Sequence, residues 1–230
     1  MPRDDAPRGS TMTTSKTATL MQEVGEHERF PDYPPRDDMQ NWFFLYSPAV
    51  TSSLQIHLTR RRSDATVANE VPVAPSLPTR GDVRIPDLMV MFGANLDLLK
   101  FQNGYAINRQ GKPPELTLEI ASPTTGSRDY GVKRDDYERY GIQEYWRFDA
   151  SGGEYHDAAL AGDRLVDGRY EPIAIEEVSD GMLRGYSDIL RLFVCWEDGE
   201  LRFLDPDTSQ YVPTRTDAEA RAAAAAARVG

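Results

Sequence analysis

Residues 114–149, PELTLEIASPTTGSRDYGVKRDDYERYGIQEYWRFD, restrict the fold more than any other stretch of the chain. Leu116, Leu118 and Ile120 alternate with Thr117, Glu119 and Ala121, which is the two-residue period of a strand. Glu119 therefore projects from the face opposite the three aliphatics. Ser122-Pro123-Thr124-Thr125-Gly126 breaks the strand, because Pro lacks a ladder donor and Gly admits turn dihedrals. Ser127 or Asp129 can cap a helix running to about Tyr140, and Gly141 suits the left-handed position just past its end. Ile142 to Phe148 then returns as an aromatic-rich strand. A strand, a helix and a strand this close together imply a right-handed parallel crossover.

Two charges sit oddly in that unit. Glu119 lies mid-strand in a run that should be buried. Lys133 shares a helix face with Tyr130, Tyr137 and Tyr140, at spacings of three, four and seven. A third charge lies upstream, where Asp87 follows Pro86 and precedes the apolar run LMVMF. Two carboxylates and a lysine on neighbouring elements suit a hard divalent cation with a positioned ammonium beside it. If Glu119 and the helix share one sheet face, the Lys133 ammonium should stand about 3–6 Å from at least one of the two carboxylates. The bland readings are a turn-capping Asp87, an edge-strand Glu119 facing solvent, and a Lys133 laid over its tyrosines with its head in water. Tyr130, Tyr137 and Trp146 read as core and His57 as structural. Glu70, in ANEVPV, is a further acidic residue that a neighbouring strand could bring near the site.

The rest of the chain arranges itself around this unit. Residues 1–40 read as a disordered or extended segment, rich in Ser, Thr, Asp and Arg and then in Pro. Residues 41–212 read as one domain, and residues 213–230 as an Ala-rich helical tail. Within the domain, Val50, Leu54 and Leu58 mark a helix near Ser47–Arg61, closed by Arg60-Arg61-Arg62. Ala65–Ala74 reads as one strand and Val83–Phe92 as another. Residues 93–114 lack a period and read as an insertion-like loop between two sheet neighbours. Short β segments are expected at Glu154–Ala159, Arg164–Val166 and Ile173–Ile175. Leu190–Tyr211 reads as a β meander, with Asp198-Gly199 as a hairpin turn.

The formal net charge is −11, which argues against a general polyanion binder. It leaves room for a metal-dependent nuclease, since bound cations reverse the local sign. From Val83 to Asp149 nine Lys/Arg face ten Asp/Glu, so the central region is almost neutral. No apolar run approaches the roughly 18–20 residues of a membrane helix, and no secretory signal is read. Cys195 is the only cysteine, which excludes an intrachain disulfide and fits a cytoplasmic setting.

The ordered set IPD…LEIASP…K…Y…YGIQEYW.FD resembles the Uma family of restriction-endonuclease-like proteins, within the PD-(D/E)XK nuclease superfamily. The likeness spans roughly Trp42 to Val212 and is densest from Val83 to Asp149. It implies an α/β fold: a restriction-endonuclease-like mixed β-sheet core flanked by helices, here with a C-terminal β meander. It implies hydrolysis of phosphodiester bonds in nucleic acid, DNA being the expected substrate, with Mg²⁺ or Mn²⁺ as cofactor. Asp87 matches the Asp of the PD element and Glu119 the acidic residue of (D/E)XK, and both would hold the metal. The lysine position of that motif is Ala121, a departure from the superfamily pattern. Lys133 matches the lysine displaced onto the following helix, which makes Asp87, Glu119 and Lys133 the implied catalytic set. A homodimer is compatible, since nucleases that cut both strands commonly pair their sites. The competing function, favoured by Ala121 and the acidic surface, is a catalytically inactive nuclease-fold binding protein.

Overall fold

The computed structural model describes residues 29–31, 48–79, 81–122, 129–214 and 217. The Ser127 cap and most of the N-terminal segment and of the Ala-rich tail fall outside them, while Asp129 is the first residue of a π-helical turn. The central layer is a six-stranded mixed sheet. It is built from β1 (Ala65–Ala68), β3 (Leu88–Phe92), β5 (Leu116–Ile120), β6 (Glu144–Phe148), β7 (Leu160–Val166) and β8 (Arg169–Pro172), in that spatial order. Only β5 and β6 run parallel, with Leu116 opposite Glu144 and Ile120 opposite Phe148, as the crossover predicts. All other neighbours in this sheet are antiparallel.

One face of the sheet is aliphatic. Leu88, Val90, Leu116, Leu118, Ile120, Trp146 and Phe148 pack there with Leu54 and Leu58 of α1 (Pro48–Arg61). The same cluster takes in Leu192, Val194, Leu201 and Phe203 from a second, five-stranded antiparallel sheet. That sheet is the meander of β9 (Ile175–Ser179), β10 (Met182–Ser187), β11 (Leu192–Glu197), β12 (Glu200–Asp205) and β13 (Gln210–Tyr211). Asp198 and Gly199, both with positive φ, turn β11 into β12 as the Asp-Gly signal predicts. Trp146 links the two sheets. Its ring lies where a Cβ on Gly162 or on Gly185 would approach within 2.9 Å, so both positions need glycine.

The opposite face is aromatic and polar. Met89, Met91, Tyr137, Tyr140, Tyr145 and Tyr170 form its core, beneath α4 (Arg134–Tyr140). A π-helical turn, Asp129–Lys133, leads into α4, and Gly141 closes it at φ 80°.

Several expectations need correction. Ala65–Ala74 is not one strand: Glu70 takes φ 49°, and the chain divides into β1 and a two-residue β2 (Val73–Ala74). The strand after Asp87 starts only at Leu88, because Pro86 cannot donate to the ladder. Residues 93–114 are not a bare loop. They form α2 (Leu96–Gln102), β4 (Tyr105–Ala106, parallel to β2) and the short α3 (Ile107–Gln110). The signals were local: Asn95 accepts the Leu98 N–H at 3.0 Å as an N-cap, and Asn103 ends α2 in the left-handed region. Residues 154–159 make bends rather than a strand, drawn around the Asp149 carboxylate. The segment expected at Arg164–Val166 is the end of the longer β7, but Ile173 and Ala174 only link β8 to β9, which begins at Ile175.

Candidate active site

Odd-numbered residues of β5 face α4, so Thr117 and Glu119 stand on the opposite side from Leu116, Leu118 and Ile120. Glu119 is fully buried. Its Oε1 accepts the Tyr137 hydroxyl at 2.7 Å, and its Oε2 meets the Lys133 ammonium at 2.9 Å. The second contact is an ion pair, so each Glu119 oxygen meets a different group of the helix. Lys133 and Tyr137 stand four residues apart and so share one face across the join between the π turn and α4. Lys133 keeps its stem covered, with 15% of the side chain exposed. The helix thus delivers one cation and one hydroxyl to a single carboxylate.

Asp87 arrives from the other side. The β3–β5 register pairs Leu88 with Leu118, so the residue before β3 stands opposite Glu119. Even-numbered N–H groups of β5 point towards β3, since Ala121 sends its own to Phe148 on β6 at 2.8 Å. The Pro86 carbonyl accepts the Glu70 N–H at 3.2 Å, and Asp87 Oδ2 accepts the Ile120 N–H at 2.7 Å. This hydrogen bond pins the Asp87 carboxyl beside the Glu119 position. Electrostatics agree with the geometry. Burial pushes the Tyr137 hydroxyl well above its ordinary range, and the negative charges on Glu119 and on Asp87 push it further. Tyr137 therefore stays a donor to Glu119 at any working pH.

Other buried carboxylates in the fold show what a structural acid looks like. Glu144 is 1% exposed and collects the Ser187 hydroxyl, the Trp146 indole N–H, the Asp188 N–H and the Arg164 guanidinium at 3.3 Å. Asp149 accepts the Ser151, Tyr155 and His156 N–H groups. Burial alone would raise the Asp149 pKa, but those hydrogen bonds and the Ser151 hydroxyl outweigh it and leave it lowered. Glu144 ties the meander to the central sheet, and Asp149 shapes the loop behind it. Glu119, by contrast, meets a tyrosine and a lysine. Glu70 turns its backbone to the site's edge: its N–H donates to Pro86 O at 3.2 Å, and the neighbouring Asn69 amide donates to Asp87 O at 3.1 Å.

Ala121 shares the parity of Glu119, so a lysine there would enter the same face. Lys133 reaches that face from the helix instead. Two carboxylates supply hard oxygen donors, the set that Mg²⁺ or Mn²⁺ prefers, and Mg²⁺ commonly keeps several waters beside one or two carboxylates. Among the described residues, three or more Asp, Glu, His or Cys do not gather into a metal cage. Asp87, just before β3, and Glu119, its register neighbour on β5, are the two described carboxylates that could hold such an ion, with Lys133 beside them. Tyr137 is the site residue that its sequence context left as core. Its signal is the four-residue spacing from Lys133 on the helix that crosses above Glu119.

The protein is thus a mixed α/β fold that brings two carboxylates and a lysine together at neighbouring strands. The family model described as "Putative restriction endonuclease", Uma2, matches residues 47–185, and the chain belongs to this family. Among solved structures, one similar chain is titled a "putative nuclease belonging to DUF820" from Anabaena variabilis. It is 18% identical, with a TM-score of 0.38, over 65% of this chain and 75% of that one. No curated protein matches. Among the described residues no helix is long and apolar enough to cross a membrane.

Proposed function

We infer that the protein is a metal-dependent endonuclease that hydrolyses phosphodiester bonds of nucleic acid, with Asp87, Glu119 and Lys133 as its catalytic residues. The observation that carries this reading is the buried Glu119 carboxylate, held between the Tyr137 hydroxyl and the Lys133 ammonium beside the pinned Asp87. Asp149, a buried carboxylate that shapes a loop, is held mainly by backbone N–H groups instead.

Asp87 and Glu119 would hold Mg²⁺ or Mn²⁺. When bound, the ion polarises a phosphoryl oxygen and lowers the pKa of a coordinated water. Tyr137 fixes one Glu119 oxygen and so holds the orientation of the carboxylate that would bind the ion. Lys133, paired with the other oxygen in the resting protein, offsets negative charge as it builds on the phosphate oxygens during attack. Its stem is covered by protein, so the ammonium acts with little competing water. DNA is the expected polymer.

The test is incubation with supercoiled and with single-stranded DNA in Mg²⁺ or Mn²⁺, with Glu119→Gln prepared in parallel. Cleavage by the wild type and its loss in the variant support the reading. Cleavage of equal rate in both points to a contaminant. Intact DNA in every lane leaves the inactive binding protein as the better account.

A further inference from the structure

Beside the acidic pair lies a second charged row that the proposed chemistry does not use. Arg147 is the register partner of Glu119 on β6, so the two side chains leave the same sheet face on strands about 4.8 Å apart. The Arg147 guanidinium leans the other way, over the Tyr145 ring, and is 6% exposed. Its Nη1 donates to Asp163 Oδ2 at 2.6 Å. Asp163 is 2% exposed and also receives Arg134 from α4, at 2.8 Å and 3.2 Å. Two guanidinium groups thus share one buried carboxylate. Glu138, on the same helix, is taken by Arg169 at 2.9 Å and by the Tyr170 N–H.

The charge left over is met by Asp157. That residue belongs to the bends of residues 151–158 and is 42% exposed. It faces the Nε/Nη2 edge of Arg147 at 3.2 Å and 3.3 Å, the longer and more exposed of the two pairings. A fork edge with two parallel N–H groups fits a carboxylate or a phosphate equally well. Asp157 is the exposed end of this pair and its contacts are longer than that of Asp163, so it is the partner that can give way. Asp163 and Arg134 would hold Arg147 in place while it does.

We propose that the Nε/Nη2 edge of Arg147 is a binding subsite for a backbone phosphate of a nucleic-acid strand, one phosphate removed from the bond at Asp87 and Glu119, and that Asp157 occupies it in the free protein. The subsite rests on the endonuclease reading for its ligand, while its geometry stands independently. A strand crossing the strand ends from β3 towards β7 meets the carboxylate pair first and the guanidinium next. Arg147 would then fix the register of the polymer against the reacting centre.

The test is fluorescence polarisation of a short fluorescein-labelled single-stranded DNA, in EDTA, over a salt series. Asp157 is half exposed, so Asp157→Asn should fold as the wild type does. It should bind roughly 3–10-fold tighter, with the log–log salt slope steeper by about 0.7, the increment of one added single-strand contact. Adding Arg147→Lys, which keeps the charge and loses the fork, should cancel both changes. Equal affinity in wild type and Asp157→Asn overturns the subsite, as does a gain that persists in the double variant. If the wild type cleaves DNA in Mg²⁺ while Asp157→Asn binds no tighter, the subsite falls and the nuclease stands. If DNA is neither bound nor cut by any variant, both fall.

Discussion

Lys133→Met isolates the ion pair at the centre of the site. Methionine keeps much of the stem that covers the sheet but removes the ammonium. Glu119, fully buried, would then have the Tyr137 hydroxyl as its remaining donor. Removing one partner of a buried pair costs about 3–5 kcal/mol, because the other charge stays desolvated. Lys133 retains 15% exposure, so the lower end applies, about 3 kcal/mol. For a domain of this size, roughly 2–4 °C of Tm accompanies each kcal/mol, giving a fall of roughly 6–12 °C. Glu119→Gln alone should cost less, since the ammonium can turn to water and the amide oxygen can still accept from Tyr137. The double variant should recover most of the Lys133→Met loss, leaving a coupling of about 2 kcal/mol in a thermodynamic cycle. Urea denaturation followed by circular dichroism of the four proteins supplies the cycle. Because the pair is buried, the coupling should change little with salt. If Lys133→Met unfolds within about 0.5 kcal/mol of wild type and the two substitutions simply add, then Lys133 does not compensate Glu119. Its place in the site is then lost.

Tyr137→Phe removes the donor to Glu119 Oε1 and should cost about 1.5–3 kcal/mol in urea unfolding, the range for a hydrogen bond to a charged group. An unchanged midpoint would mean that the hydroxyl does not hold the carboxylate. Asp149 has a lowered folded pKa, so its stabilisation is fully present above the unfolded value of about 3.9 and is lost as pH falls through the lower folded value. Asp149→Asn should therefore be less stable at neutral pH and show a flatter decline below about pH 4. A variant with the wild-type acid limb would refute that assignment. Gly185→Ala puts a Cβ 2.9 Å from the Trp146 ring and 2.5 Å from Ile175 Cδ1. It should cost about 1–3 kcal/mol and change the near-ultraviolet spectrum of Trp146. A spectrum and midpoint equal to wild type would count against the close packing of the two sheets at that ring.

The parallel crossover and the facing of Glu119 were legible because strand and helix periods are local, and Leu116, Leu118 and Ile120 fix the register. Lys133 was legible for the same reason: four residues before Tyr137, its side chain had to share the face that meets the sheet. Tyr137 itself was read as core, which it is, but burial and a hydrogen bond to Glu119 are compatible in one phenol. Periodicity carries no sign of the hydroxyl's partner. The helices between Leu96 and Gln110 were missed because they are only seven and four residues long, too short for an amphipathic period to show. Their caps, Asn95 and Gly111, were the available signal. The break at Glu70 is set by Pro86 across the gap, where the Glu70 N–H finds a carbonyl outside any strand. Arg147 looked like one more strand residue, and its network with Asp157, Asp163 and Arg134 joins elements up to 29 residues apart.

Under the proposed function, Asp87 and Glu119 would hold one divalent cation between them. Electron paramagnetic resonance of Mn²⁺ titrated into wild type, Asp87→Asn and Glu119→Gln reports free ion directly and needs no substrate. Each substitution keeps shape and removes one charge, and each variant's fold can be confirmed by its circular dichroism. The account predicts that wild type depletes the free Mn²⁺ signal with a single saturable site, and that either substitution weakens binding by at least about tenfold. Equal depletion by all three proteins would place the ion elsewhere and contradict the account.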